Sequence, residues 1–223
     1  MKKVPIFPLP NVVFFPRVVL PLHVFEPRYQ QMTEDALAGE KLLAVALLRP
    51  GFEKDYYGDP PVHDTATIGR IEHHESLGEG RYHIALTGLE RVRLVEGPRD
   101  EDTAKLYRTS WTVADPEKIP PEGSAAVSEC QLRLQSLWNR LIVEIGVEEV
   151  DESPIESDPS FEGLVNRIAT SVALSAEEKQ SLLELSDLAE RAQALESALQ
   201  EHISYWSAIH RFRNLSPNDP RVN

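Results

Sequence analysis

A single cysteine in 223 residues leaves Cys130 without an internal disulfide partner and removes every zinc site that needs two or more thiolates. That scarcity suits a reducing compartment. No apolar run reaches the roughly 18 residues of a membrane span. Met1-Lys2-Lys3 resembles the start of a signal peptide, but Pro5, Pro8, Pro10 and Asn11 break up the next residues before an apolar h-region develops. Neither export nor membrane insertion is expected, and the cytoplasm is the expected location. None of the 11 glycines stands in GxxxxGK[ST] or GxGxxG, and GxSxG, HExxH and CxxC are missing too. The sequence marks of an ATPase, a dinucleotide enzyme and the commoner hydrolases are therefore absent. No catalytic residue, cofactor or metal is expected.

Positive charge is also short, with 23 Lys and Arg against 36 Asp and Glu. The acid is unevenly placed: residues 117–206 hold 18 acidic side chains against 6 basic, and the rest of the chain 18 against 17. Such a surface repels phosphate backbones, whose binding needs clustered Lys and Arg. What the chain does have is apolar material, 41% of its residues, enough to offset the entropy lost on folding one or two domains.

Residues 1–115 hold short β-like runs at 4–7, 18–22, 41–48, 65–77, 81–87, 90–95 and 105–113, bounded by proline and glycine as in a barrel or sandwich. One helix interrupts them. Pro27 suits a first helical turn, Tyr29, Met32, Ala36 and Leu37 fall near a 3.6-residue period, and Gly39 stops it. Gly78-Glu79-Gly80 joins two strands as a hairpin. With residues 78 and 79 as the turn, Ile71 faces Leu86, His73 faces Ile84, and His74 meets His83 on the other side. A second turn is expected at Gly88.

From about residue 121 the period becomes helical. Residues 125–145 carry a broad apolar stripe ending at Gly146, and the acidic segment 148–158 reads as an exposed connection. Asp158 is expected to cap a helix with Pro159 in its first turn, running through Phe161, Leu164 and Ile168. Ser175 with Glu178 forms a capping box, Asp187 with Glu190 repeats it, and a last helix covers 188–212, making four helices in this half. The prolines at 116, 120 and 121 divide the chain into a β-rich part, 1–116, and a helical part, 117–223.

Weak chemistry remains. Glu72, His74 and His83 could share a hairpin face and hold a metal, but a one-residue slip separates them, and a solvated surface is the reading adopted. Cys130 reads as an inert thiol in a helical stretch rather than a reactive one. Phe52, Tyr56, Tyr57 and Gly58 lie in the loop 49–63, whose rings either fold back on the barrel or contact a ligand.

The opening Val4-Pro-Ile-Phe-Pro-Leu-Pro-Asn-Val-Val-Phe-Phe-Pro16, followed by Leu20-Pro-Leu-His-Val-Phe-Glu-Pro-Arg-Tyr29, resembles the amino-terminal, substrate-binding domain of Lon protease and its free-standing bacterial relatives. Arg17 stands where that family often has glycine. Ile68-Gly-Arg-Ile71, Gly80-Arg-Tyr-His-Ile84, Thr87-Gly-Leu-Glu-Arg-Val-Arg-Leu94 and Gln180-Ser-Leu-Leu-Glu-Leu185 continue the likeness along most of the chain. The resemblance implies an α+β fold, a PUA-like β pseudo-barrel with one short helix followed by a C-terminal helical bundle, without ATPase or protease modules. It makes the motif residues Pro8, Phe15, Pro16, Pro21, Leu22, Phe25, Glu26, Pro27, Arg28, Tyr29, Gly69 and Gly88 structural. Phe15, Leu22, Phe25 and Tyr29 would fill the barrel, prolines would sit at strand edges or bends, and Glu26 would favour the helix N-terminus or fix Arg28.

The function expected is non-catalytic recognition of unfolded or exposed polypeptide segments, in protein quality control, with Phe14, Phe52, Tyr56 and Tyr57 as peptide contacts. Weak self-association is compatible with this reading. The alternative is RNA binding by a PUA-like barrel through Arg70, Arg81, Arg91 and Arg93, which the acid balance disfavours.

Overall fold

The computed structural model describes residues 1–95, 105–146 and 158–213. Six strands, Lys2–Leu9 (β1), Val19–Val24 (β2), Leu42–Leu47 (β3), Thr65–Gly78 (β4), Arg81–Val95 (β5) and Thr109–Ala114 (β6), enclose one helix, Pro27–Ala38 (α1). Four helices follow: Ala125–Ile145 (α2), Phe161–Ser171 (α3), Ala176–Glu184 (α4) and Leu188–Arg213 (α5). The acidic segment assigned to a connection, 148–158, lies outside the described residues except for Asp158.

The sheet runs β2-β5-β4-β3-β1-β6, and β5 also pairs with β6. Five strands therefore close on themselves, and β2 remains outside the ring as an edge. The length of β5 permits this, since residues 82–87 pair with β2 and 92–95 with β6. Pro21 sits on that edge strand, where a nitrogen without a hydrogen costs no ladder bond. Pro8 lies on β1 beyond the residues, 2–5, that pair with β6.

Where the sequence suggests a turn at Gly88, the chain runs straight on through β5. Gly88 faces Gly69 across the ladder, with a bulge beside them. A Cβ at Gly88 would come 2.3 Å from the Phe15 carbonyl oxygen, and one at Gly69 would come 2.6 Å from the Phe14 ring. The paired glycines thus admit the Phe14-Phe15 backbone against the sheet, and close approach replaces turning as their reason. Arg17, just beyond, has φ +60°, the left-handed conformation that glycine adopts without cost.

The hairpin turn is Glu79-Gly80, both at positive φ, one residue later than the sequence spacing suggests. Ile71 does face Leu86. Bulges after Ile71 and Ser76 then shift the partners, so that His73 faces Ala85, His74 faces Ile84, and Glu75 faces His83.

Buried side chains from both halves make one cluster, in which Phe7, Phe15, Leu43, Ile71 and Leu86 join Leu134, Leu141, Leu164, Ile168, Leu195 and Leu199. A second cluster of Val4, Ile6, Ala44, Ala46, Ala66, Ile68 and Val92 fills the opposite face of the strands. Both faces of β3 are thereby covered, which is why Leu42–Leu47 is apolar without alternation. Two fully buried guanidiniums brace the junction of the halves, Arg91 by bonds across it and Arg191 by bonds within the second half and by lying 5.9 Å over the Phe15 ring. Arg91 on β5 donates to the carbonyls of Leu183 and Leu185, and Arg191 on α5 donates to those of Leu182, Leu183 and Leu185, to Asn166 and to Glu117. Further bonds join Arg17 to Glu162, Asn166 to the Pro16 carbonyl and Gln180 to the Thr65 carbonyl.

Ser160, rather than Asp158, caps α3, its hydroxyl accepting from the Gly163 N–H; Asp158 instead accepts from the Ser160 N–H. The capping box of α4 forms as its residues dictate, with Ser175 N–H and Oγ–H donating to Glu178 and the Glu178 N–H to Ser175. Those bonds from Ser175 hold the Glu178 carboxyl below the usual glutamate range. A lowered carboxyl pKa adds stability above its unfolded value and loses it as pH falls through the folded one. Ser175→Ala is accordingly expected to lose about 1 kcal/mol near neutral pH, with the gap to wild type narrowing below the glutamate range. Thermal melts across pH check this, and a gap unchanged down to about pH 3 would contradict it.

Candidate functional site

The segment Phe25-Glu-Pro-Arg-Tyr29 starts α1 and organises its surroundings. Pro27 occupies the first helical turn, and the Glu26 side chain makes no capping bond. Its carboxylate instead accepts from the Arg28 guanidinium at 3.1 Å and from the Tyr56 hydroxyl at 3.0 Å. Arg28 also donates to the Tyr56 carbonyl at 3.0 Å and lies 4.6 Å over the Tyr29 ring and 4.9 Å over Tyr56. Tyr29 packs on Phe7 at 4.4 Å, and burial pushes its hydroxyl up to about 12. Motif residues thus pin the loop 49–63 to the barrel, helped by Arg108, which donates to the Pro60 carbonyl and pairs with Asp59.

The four aromatic residues read as peptide contacts separate. Phe14 is buried at 2% exposure against Gly69 and offers no surface, because the glycine pair admits its segment, between β1 and β2, close against the sheet. Phe52 and Tyr56 are half-buried and stack in a chain with Tyr57, which is 87% exposed. Phe25 also departs from the reading that it fills the barrel. It is 59% exposed beyond the end of β2, while Phe15 and Tyr29 are buried and Leu22 is half-buried against the core.

Beside Phe25, on β2, β5 and β4, lies a pocket of about 510 Å³. Pro21, Leu22, Ile84 and Ala85 supply its apolar part. His23, His73, His74 and His83, four of the seven histidines in the chain, line it with Glu75. Register explains the grouping, because His23, His83 and Glu75 stand opposite one another on three neighbouring strands, and Pro21, Ala85 and His73 form the next row. His23 and His83 meet edge to face at 5.0 Å, His23 lies 5.6 Å from Phe25, and His83 Nδ1 is 4.0 Å from Glu75.

Sequence spacing selects Glu72, His74 and His83 and misses His23 and His73. The bulge after Ile71 moves Glu72 out of the row and turns His74 to the face opposite His83, and the pairing of β2 with β5, which brings His23 in, links residues about 60 apart. The period-two run Pro21, His23 on an edge strand was the available signal. Among the described residues no group of three or more His, Cys, Asp or Glu is placed to hold a metal.

The arginine stripe considered for RNA is broken by Arg91, buried at 2% exposure under α4, while Arg70, Arg81 and Arg93 are exposed. Cys130 is half-buried, and burial together with the Glu196 carboxylate pushes its thiol up to about 11, leaving it protonated and unreactive at neutral pH. No helix among the described residues is long and apolar enough to cross a membrane.

Comparison with known proteins gives a consistent result. Residues 3–201 match the model of the ATP-dependent protease La (LON) substrate-binding domain. Lon protease of Flavobacterium johnsoniae is 29% identical over 197 residues, and Lon protease 2 of Myxococcus xanthus 30% over 193. In both, 84% of this chain is aligned, and the chain spans 22% of the length of the relative. Among solved structures, the N-terminal domain of Mycobacterium avium complex Lon protease superimposes with a TM-score of 0.64 at 20% identity, covering 90% of this chain and all of that one. A Lon N-terminal domain protein from Xanthomonas campestris gives 0.58 at 21%, covering 88% and 98%.

Proposed function

Because the chain belongs to the LON substrate-binding domain family, we propose that it recognises exposed polypeptide segments, without chemistry of its own, through the pocket on β2, β5 and β4. The observation that carries this reading is the pocket itself, lined by Pro21, Leu22, Ile84 and Ala85 beside the exposed Phe25 and along a strand that has no neighbour on one side among the described residues. Extended chains add to such edges by backbone hydrogen bonds and place alternate side chains in adjoining pockets. Tyr57 and Phe52, on the pinned loop, are secondary contacts. Residues 1–116 carry the recognition surface and 117–223 support it from behind. Service to a protease, a role in quality control and a cytoplasmic location are parts of the same proposal.

Ala85→Trp fills the pocket from the solvent side of β5. Its expected effect is at least a tenfold loss of affinity, roughly 1.4 kcal/mol, for fluorescently labelled unfolded peptides, with thermal stability near wild type. Equal affinity of the variant and wild type would place recognition elsewhere on the chain, and no binding by wild type above a scrambled control would end the proposal.

A further inference from the structure

Three imidazoles, those of His23, His73 and His83, share one face of the sheet with Pro21 and Ala85, where a bound segment would lie, while His74 stands opposite Ile84 on the other face. Imidazole is the side chain whose charge ordinarily changes between pH 5 and 8. We infer that the pocket admits acidic polypeptide segments preferentially when the surroundings are mildly acidic, a reading that rests on the polypeptide-binding function and specifies its ligand.

Charge complementarity carries the inference. On the face shared with Pro21 and Ala85, the pocket presents His23, His73 and His83 against one carboxylate, Glu75. The charged groups nearby on the same elements are Glu72 on β4, Glu79 in the turn, paired with Arg81, and Glu34 on α1, whose carboxylate accepts from the Tyr82 hydroxyl. With imidazolium at His23, His73 and His83 the lining would carry a positive excess beside its one carboxylate, in a chain that is otherwise acidic. The distant acid does little to oppose this. Residues 117–206 carry 18 acidic side chains against 6 basic, and fields from charges more than about 8 Å away are largely screened at physiological salt. His83 and Glu75 already stand 4.0 Å apart, so a second carboxylate arriving from a ligand finds His23, 5.0 Å from His83 ring to ring, as its nearest imidazole.

The test compares two labelled peptides of one sequence, an aromatic residue flanked by Asp and Glu in one and by Asn and Gln in the other, at about pH 7.5 and about pH 5.8. The acidic peptide is expected to gain roughly five- to tenfold in affinity on acidification, a few exposed charge pairs' worth, and the amide peptide to change less than about twofold. In the His23→Gln, His83→Gln double variant the gain, read as the ratio of acidic-peptide to amide-peptide affinity at each pH, should shrink toward that of the amide peptide. Equal response of both peptides, or an undiminished gain in the double variant, overturns the inference and leaves polypeptide recognition standing. Failure of both peptides to bind at either pH overturns the two together.

Discussion

Replacement of Glu117 by glutamine is expected to cost about 3–5 kcal/mol, the price of breaking a buried ion pair on one side. Glu117 is the most enclosed carboxylate beside Arg191 and Arg91, both of which are fully buried, with side-chain exposures of 6%, 0% and 0%. Asp115, at 23%, is the other acid in contact with Arg91. Burial lowers the Arg191 pKa, against which Glu117 and, more weakly, Glu162 act, so the amide would leave two interior cations without the carboxylate that contacts both. In a chain of this length the melting temperature should fall by on the order of 10 °C. Glu129→Gln, which removes an exposed pair with Arg133 on α2, should change stability by no more than about 0.5 kcal/mol. The double variant Glu117→Gln, Arg191→Met is expected to recover part of the loss, since it removes a cation along with its partner. Equal melting of Glu117→Gln and Glu129→Gln would show that the interior carboxylate contributes nothing special.

Gly88→Ala is the second large effect. An added Cβ would lie 2.3 Å from the Phe15 carbonyl oxygen and 3.0 Å from the Pro16 Cα, both backbone atoms that cannot swing aside. The same glycine donates to the Val18 carbonyl and accepts from the Arg17 N–H, each at 2.9 Å. Relief of the clash must therefore pull apart the contact between β5 and the incoming chain. Overpacking of this kind costs about 1–3 kcal/mol and occasionally more, and the backbone origin of the clash places Gly88→Ala at the upper end. Urea unfolding measures it, and a stability within about 0.5 kcal/mol of wild type would refute the close-approach account.

The strands and helices were legible because their signals are local. Proline and glycine punctuate the first half, the 3.6-residue stripe marks α2, and the Ser175 and Glu178 pair announces its own cap. What escaped depends on partners far along the chain. Arg91 and Arg93 alternate as a solvent-facing pair would, yet α4, about 90 residues later, covers the first and leaves the second exposed. Phe14 and Phe25 look equally apolar in the sequence, and the close approach to Gly69 buries one while the end of β2 releases the other. The histidine row depended on two bulges, which insert a residue without any composition mark, and on an edge pairing the hairpin alone could not reveal. Likewise Arg17, where the resemblance suggests glycine, takes the left-handed conformation itself, its guanidinium anchored 2.6 Å from Glu162.

The proline in the middle of the outermost strand has a consequence for how the molecule behaves in company. Six residues are few for an open border, and Pro21 splits them into two stretches of two and three. Two molecules meeting border to border would find the hydrogen-bond zipper missing a tooth at its centre, so stacking into fibrils gains little. A guest chain, whose side chains also use the neighbouring hollow, does not depend on an unbroken zipper. One pyrrolidine ring thus discourages the molecule from sticking to itself while leaving it free to hold others.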